Sequence, residues 1–212
     1  MKFDIHTHNI DSTTYALLKE RWGGGRRVVI AASTHEDEEL QILACFNRLQ
    51  QAIPGVILLI APRHPERFES IYQLSQQQGF NTGLRSLAQT LHGQNEVVVL
   101  DCLGELLGWY QMSDYAFVGG SLVPVGGHNV LEPIAMGVPV LSGRHVHNFK
   151  TICADLERAQ AIVLVDDAVA LVDALIELEC HEDLKKSMVN NATKVLNSNK
   201  GSVQKHLACI QR

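Results

Sequence analysis

The sequence predicts an α/β protein: a Rossmann-like, doubly wound, mostly parallel sheet with helices on both faces. Three observations predict it. Val28 to Ser33, Val56 to Ala61 and Glu96 to Asp101 hold apolar runs that are continuous rather than alternating, as in strands buried on both sides. Helical stretches alternate with these runs along the chain. The apolar run Tyr115-Ala116-Phe117-Val118 stops at Gly119-Gly120, a second pair Gly126-Gly127 follows, and a short helical segment comes next. Strand, glycine loop and helix start in that order suit a phosphate, because glycines allow close backbone approach and a helix start offers unpaired N–H groups.

In chain order, residues 1–25 read as a connector, with Trp22-Gly23-Gly24-Gly25 as its joint, and residues 26–212 as one Rossmann-like domain. Val28 to Ser33 is the first strand. Thr34 is placed to cap an acidic helix from Glu36 to Gln51, which Pro54-Gly55 ends. Val56 to Ala61 is the second strand, followed by Pro62 to Arg67 and a helix to about Gln78. A weak strand near Thr82 to Ser86 precedes the strong one at Glu96 to Asp101, and a helix starts at Gly104-Glu105. After Tyr115 to Val118, Pro133 is acceptable only in a first turn, so the helix begins between Asn129 and Pro133. Val138 to Leu141 is the next strand, then a helix from Asn148 to about Arg158 and a strand at Ala161 to Val165. Two helices close the chain, near 167–178 and 182–197, with a tail from Gly201.

Composition narrows the function. With 212 residues, 46% hydrophobic and 19% charged, the chain suits a globular core. No apolar run reaches the ~18 residues of a membrane span, and Met1-Lys2-Phe3-Asp4 does not begin a signal peptide. Five dispersed cysteines without a C-x-x-C pair fit reduced thiols in a cytoplasmic compartment. A net charge of −5 argues against nucleic acid and anionic membrane surfaces as bulk partners. Basic side chains nevertheless gather after apolar runs, at Arg63, His64 and Arg67 and again at Arg144, His145, His147 and Lys150.

Ligands of open α/β sheets bind at the carboxyl ends of the strands. The loops there supply one candidate substrate site: Ser33, Thr34 and His35; Arg63 and His64; Gly104 and Glu105; Gly119, Gly120 and Ser121; Gly126, Gly127, His128, Asn129 and Glu132; and the Arg144 to Asn148 segment. Glu132 would repel a phosphate on the same helix start and is better used beside it, accepting from ribose hydroxyls, which describes a nucleotide site. Plainer roles compete at several positions: a helix cap for Thr34, an ion pair for Arg63, a helix-start carboxylate for Glu105, and solvent exposure for His145 and His147. A separate alternative is a metallohydrolase built on Asp4-Ile5-His6-Thr7-His8, where two imidazoles on alternate strand positions share one ion. Such a barrel takes ~250 residues and further ligands at later strand ends, so no metal and no cofactor is expected.

The segments AASTHEDEE (31–39), PRHPERF (62–68), GEL (104–106), FVGGSLVPVGGHNVLEP (117–133) and HVHNF (145–149) resemble the lipid A Kdo transferases, the 3-deoxy-D-manno-octulosonic acid transferases of Gram-negative bacteria. KFDI (2–5) resembles the connector into that family's second domain. The resemblance implies a two-domain GT-B glycosyltransferase of which this is the C-terminal half, with CMP-Kdo as donor. It implies that Arg63 contacts the nucleotide, Gly104-Glu105 line its pocket, Gly126-Gly127-His128-Asn129 seat the phosphate and Glu132 holds the ribose. The acceptor, a lipid A precursor, and the catalytic base would belong to the N-terminal domain, leaving no catalytic residue here and no turnover by this half alone. The parent protein would sit peripherally on the cytoplasmic side of the inner membrane and carry out inner-core lipopolysaccharide biosynthesis. Asp37 stands where the family pattern has glycine, and Arg144 where it has proline. A UDP-sugar-dependent GT-B transferase or epimerase is the alternative within the same fold, and a non-catalytic nucleotide-binding module is another.

Overall fold

The computed structural model describes Glu20 and residues 25–210, so the rest of the connector, including His6 and His8, lies outside the described residues. Seven parallel strands form one sheet: β1 (Val28–Thr34), β2 (Ile57–Pro62), β3 (Thr82–Leu84), β4 (Val97–Val99), β5 (Tyr115–Val118), β6 (Val140–Gly143) and β7 (Val163–Val165). The helices are α1 (Glu38–Ala52), α2 (Phe68–Gln77), α3 (Leu106–Met112), α4 (Leu131–Ala135), α5 (Lys150–Arg158), α6 (Ala168–Cys180) and α7 (Glu182–Ile210).

The strand order β3-β4-β2-β1-β5-β6-β7 makes β1 the start of both wings. The chain fills one side through β4, then crosses back and continues outward from β5. The loops after β1 and β5 therefore leave the sheet side by side and part company, which opens a crevice at the switch point.

Side-chain alternation explains the two covered faces. Val29 and Ala31 of β1, with Tyr115 and Phe117 of β5, pack with Leu43 and Phe46 of α1 and Leu171 and Leu175 of α6. Val28, Ile30 and Ala32 pack on the other face with Trp109 and Tyr110 of α3. Val118 and Val140 join Leu131 and Ile134 of α4, Leu156 of α5 and Leu196 of α7. Both faces of each central strand are apolar because both are covered, which is why their runs show no period of two.

Some boundaries differ from the expectation for identifiable reasons. β6 starts two residues later than Val138, since Pro139 has no N–H and contributes only its carbonyl, which accepts from Ala116 N at 3.0 Å. The last helix runs through Gly201 to Ile210 instead of ending near Asn197. A single interior glycine costs a helix only about 1 kcal/mol and does not terminate it.

Gly143, the last residue of β6, lies against the loop after β5: a Cβ there would fall 2.1 Å from the Ser121 carbonyl oxygen, and Gly143 N donates to Ser121 Oγ at 2.8 Å. Gly143→Ala should therefore overpack this contact and lower stability by about 1–3 kcal/mol. Urea denaturation checks it, and a wild-type midpoint would contradict the packing.

Candidate functional site

The crevice is built around one buried carboxylate. Glu38, in the first turn of α1, is fully buried. Its Oε2 accepts from His35 N at 2.9 Å and Gly120 N at 2.7 Å, and its Oε1 accepts from Ser121 N and Leu122 N, both at 2.9 Å. The carboxylate thus holds four main-chain N–H groups that belong to the loops after β1 and β5. Those amides would otherwise be orphaned in the interior, where an unpaired donor costs about 1–3 kcal/mol. Gly119 must be glycine for this approach, because a Cβ would lie 2.8 Å from Glu38 Oε2 and from the Ser33 carbonyl.

This arrangement changes the expected roles of several residues. The amides of Gly120 and Ser121, two candidate members of the substrate site, face an internal anion. The Ser121 hydroxyl is also internal, donating to Val118 O at 2.7 Å and accepting from Gly143 N. Thr34 does not cap α1; its hydroxyl donates to buried Glu39 at 2.9 Å, which also accepts from Arg67 at 3.0 Å. Burial pushes the Glu39 carboxyl up, and these bonds oppose that. The N-cap is Asp37, whose φ of 71° lies in the left-handed region. That conformation is the physical reason a glycine suits this position, and aspartate is among the residues that tolerate it.

The second glycine pair folds back on the first. Gly126 N and Gly127 N both donate to Gly120 O, at 3.1 and 2.7 Å. The segment after β6 clamps the turn: Asn148 N donates to Gly126 O at 3.0 Å, and His145 N to Ser121 O at 3.0 Å. A Cβ on Gly126 would meet Asn148 Nδ2 at 2.3 Å and His147 Nε2 at 2.5 Å. The 145–148 segment therefore buttresses the loop through its backbone and Asn148, while His145 and His147 remain exposed. Arg144 turns toward β7 and pairs with Asp166 at 2.6 Å.

Asn129 and Glu132 share one local network at the start of α4. Asn129 Oδ1 accepts from Leu131 N at 3.1 Å, and Asn129 Nδ2 donates to Glu132 Oε1 at 3.0 Å. The Asn129 side chain is thus tied into the turn that leads into α4. Burial raises the Glu132 carboxyl, with the Asn129 amide opposing. Glu105 is similarly engaged, accepting from Arg85 Nε at 3.0 Å, from Arg85 Nη2 at 3.2 Å and from Trp109 Nε1 at 3.2 Å.

What the geometry brings together at the crevice mouth is one guanidinium and three imidazoles. His35 Nε2 and His128 Nε2 lie 2.7 Å apart, and the His64 ring stands edge-on to His35 with centroids at 5.3 Å. Arg63 is exposed, and its guanidinium makes no hydrogen bond or ion pair with the described residues. Burial, followed by the neighbouring His35, Arg63 and His64, holds His128 down at about 4. Burial also lowers His35, with Glu38 opposing and His64, Arg63 and Arg67 adding to it. Beside this cluster a cavity of ≈ 130 Å³ is lined by Ser33, Arg63, Cys102, Gly104 and Trp109 among others. Ser33 reaches it through a left-handed φ of 54° at an irregularity in the β1–β2 register. Among the described residues no group of three or more acidic, histidine or cysteine side chains is placed to hold a metal ion.

Sequence reasoning missed Glu38, which it counted only as one acid of a helix's first turn. The signal was the spacing of His35 and Glu38, three residues apart, at which a carboxylate reaches back to the amide before a helix. Arg85, Trp109 and Cys102 were also missed, and they lie in segments with no motif.

Two measurements follow. Glu38→Gln replaces two acceptor oxygens by one oxygen and an NH₂ group facing two amides, so stability should fall by about 3–5 kcal/mol, read by urea denaturation; a loss under about 1 kcal/mol would refute the carboxylate's role. For His128, the folded value of about 4 lies below the ordinary 6.5, so the unfolded chain binds more protons between them. Stability should therefore fall as pH drops from about 6.5 toward 4. The thermal midpoint of His128→Asn should drop less between pH 7.5 and pH 5 than that of the wild type; equal drops would rule this out.

Comparison with known proteins agrees with this geometry. The model of the glycosyl transferases group 1 family matches residues 28–195. The 3-deoxy-D-manno-octulosonic acid transferase of Haemophilus influenzae is 35% identical over 212 residues, all of this chain and 50% of the relative. That of Bordetella pertussis is 32% identical, over 90% of this chain and 46% of the relative. The chain thus spans about half the length of these relatives. The crystal structure of the C-terminal CMP-Kdo binding domain of WaaA from Acinetobacter baumannii superimposes with a TM-score of 0.83 at 36% identity, covering 87% of this chain and 97% of that one. These matches favour the glycosyltransferase reading over the metallohydrolase. The fold is the C-terminal, Rossmann-like half of a GT-B arrangement, and the chain belongs to the group 1 glycosyl transferases, in the Kdo transferase branch.

Proposed function

We propose that this chain binds CMP-Kdo as the donor half of a transferase that moves Kdo onto a lipid A precursor during inner-core lipopolysaccharide synthesis. The observation that carries this reading is the cluster of Arg63 with the imidazoles of His35, His64 and His128 beside a cavity at the switch point of the sheet. A nucleotide sugar needs an anion seat adjoining a recess for its base, and the two adjoin here. The similarity to a solved CMP-Kdo binding domain supports the choice of donor.

In this reading the base enters the cavity between Ser33 and Trp109, and Gly104 keeps its rim open. Arg85, through Glu105, holds the Trp109 wall in place. Arg63 and the imidazoles face the phosphate, supported by the main-chain N–H groups of His128 and Asn129, which make no hydrogen bond with other described residues. Glu132 accepts from the ribose, with its second oxygen available beyond the Asn129 bond. Displacement at the sugar's anomeric carbon breaks its bond to the phosphate oxygen, which keeps the electron pair. The added negative charge develops opposite Arg63 and the imidazoles, whose prior placement lowers the barrier. The acceptor hydroxyl's proton goes to a general base. That base belongs to the other half of the enzyme, along with the acceptor site and the contact with the cytoplasmic face of the inner membrane. Residues 1–25 connect the halves.

The decisive experiment is calorimetric titration of the chain with CMP, UDP and GDP in EDTA. CMP should bind most tightly without divalent metal. Equal affinity for the three would overturn the donor assignment, and a preference for UDP would indicate a UDP-sugar enzyme.

A further inference from the structure

Resting on that reading, we infer that His35 and His128 act as a single proton-sharing pair that gains one proton when the phosphodiester of a nucleotide sugar is seated beside it.

The geometry determines how many protons the pair holds. The two Nε2 atoms are 2.7 Å apart, the ring planes differ by 5°, and the centroids are 5.0 Å apart. Ring centres stand that far apart across so short a contact only when both nitrogens lie on the line joining the centres. The rings therefore meet nose to nose in one plane, as N–H···N, and are not stacked face to face. Two bare lone pairs would repel at this distance, and so would two N–H groups. One proton lies between the rings, so the pair is either neutral, with one further proton on an Nδ1, or singly positive, with one on each Nδ1.

The surroundings decide between these states. Facing the pair are Glu38 from α1, Arg63 and His64 from the loop after β2, and Arg67 from the turn before α2. Glu38 is the one anion in this group, and its charge is already shared among four main-chain N–H groups. Arg63, His64, Arg67 and partial burial all oppose a further positive charge. The pair is neutral in the free chain, in line with the depressed values of both imidazoles. A phosphodiester anion brought to Arg63 reverses that balance, and the neutral pair takes up a third proton, on its free Nδ1, with the ligand. The pair cannot be held open by backbone slack either: a Cβ on Gly120 would meet the His128 ring at 2.9 Å, so the loop bound by Glu38 sets the ring's position.

Calorimetry of the 212-residue chain with cytidine 5′-(methyl phosphate) tests this. The ester keeps a constant charge near neutral pH, whereas CMP has its own titration near pH 6. Titrations at pH 6.5 in two buffers of different ionisation heat should show net proton uptake. Kd should tighten as pH falls from 8 to 6, by at most about tenfold per unit, the limit for one proton. Cytidine, lacking the phosphate, should bind without uptake. His35→Asn and His128→Asn should each abolish the uptake, since either removes the shared proton; an uptake that survives in one of them overturns the pairing. Measurable binding with no uptake and a pH-independent Kd in the wild type overturns the inference alone. No binding of the ester or of CMP at any pH overturns the donor reading and this inference with it.

Discussion

A single carboxylate bound to four main-chain N–H groups is the interaction on which the crevice depends. A doubly wound sheet must part its loops at the point where the two wings diverge, and here the parting leaves amides of residues 35 and 120–122 in the interior. No strand continues to pair them. Glu38 supplies the acceptor from α1, so helix, β1 loop and β5 loop become one rigid unit. The requirement for glycine at 119 follows, because a Cβ there would lie 2.8 Å from that carboxylate.

The rest of the site is arranged by its contacts to this unit. Gly120 O, left facing outward, accepts from both Gly126 N and Gly127 N, and the segment after β6 closes over them through Asn148. The loop that carries His128 is therefore located by hydrogen bonds among glycines rather than by the histidine itself. A ring placed this way can be brought to 2.7 Å from a second imidazole without either one choosing that contact. The cost is a concentration of positive or protonatable groups with one internal counter-charge, already committed.

That imbalance links the structure to function. Inside the fold, negative charge is matched: Glu39 with Arg67 and Thr34, Glu105 with Arg85, Glu179 with Arg27 and Tyr115. At the crevice mouth Arg63 is left unmatched among the described residues. A protein tolerates such a cluster at its surface because water screens it, and an anionic ligand gains from it when it displaces that water.

The sequence by itself determined the class of fold, the strand order of apolar runs and the end of the sheet at which polar loops gather. These are local matters: a run buried on both faces is apolar throughout, and a glycine pair after a strand marks a turn wherever it occurs. It also pointed to His35, Arg63, His64 and His128 as members of one site, through their positions at strand ends. Only the tertiary structure decided which anion each amide faces. Gly120 and Ser121 read as members of the substrate site in sequence, yet Glu38, more than eighty residues earlier, already occupies their N–H groups. Asn129 and Glu132 read as two separate ligand contacts in sequence, and the fold shows their side chains bonded to each other. A hydrogen-bond donor has no preference written into its own residue type for an internal or an external acceptor; the topology that brings α1 against the β5 loop makes that choice.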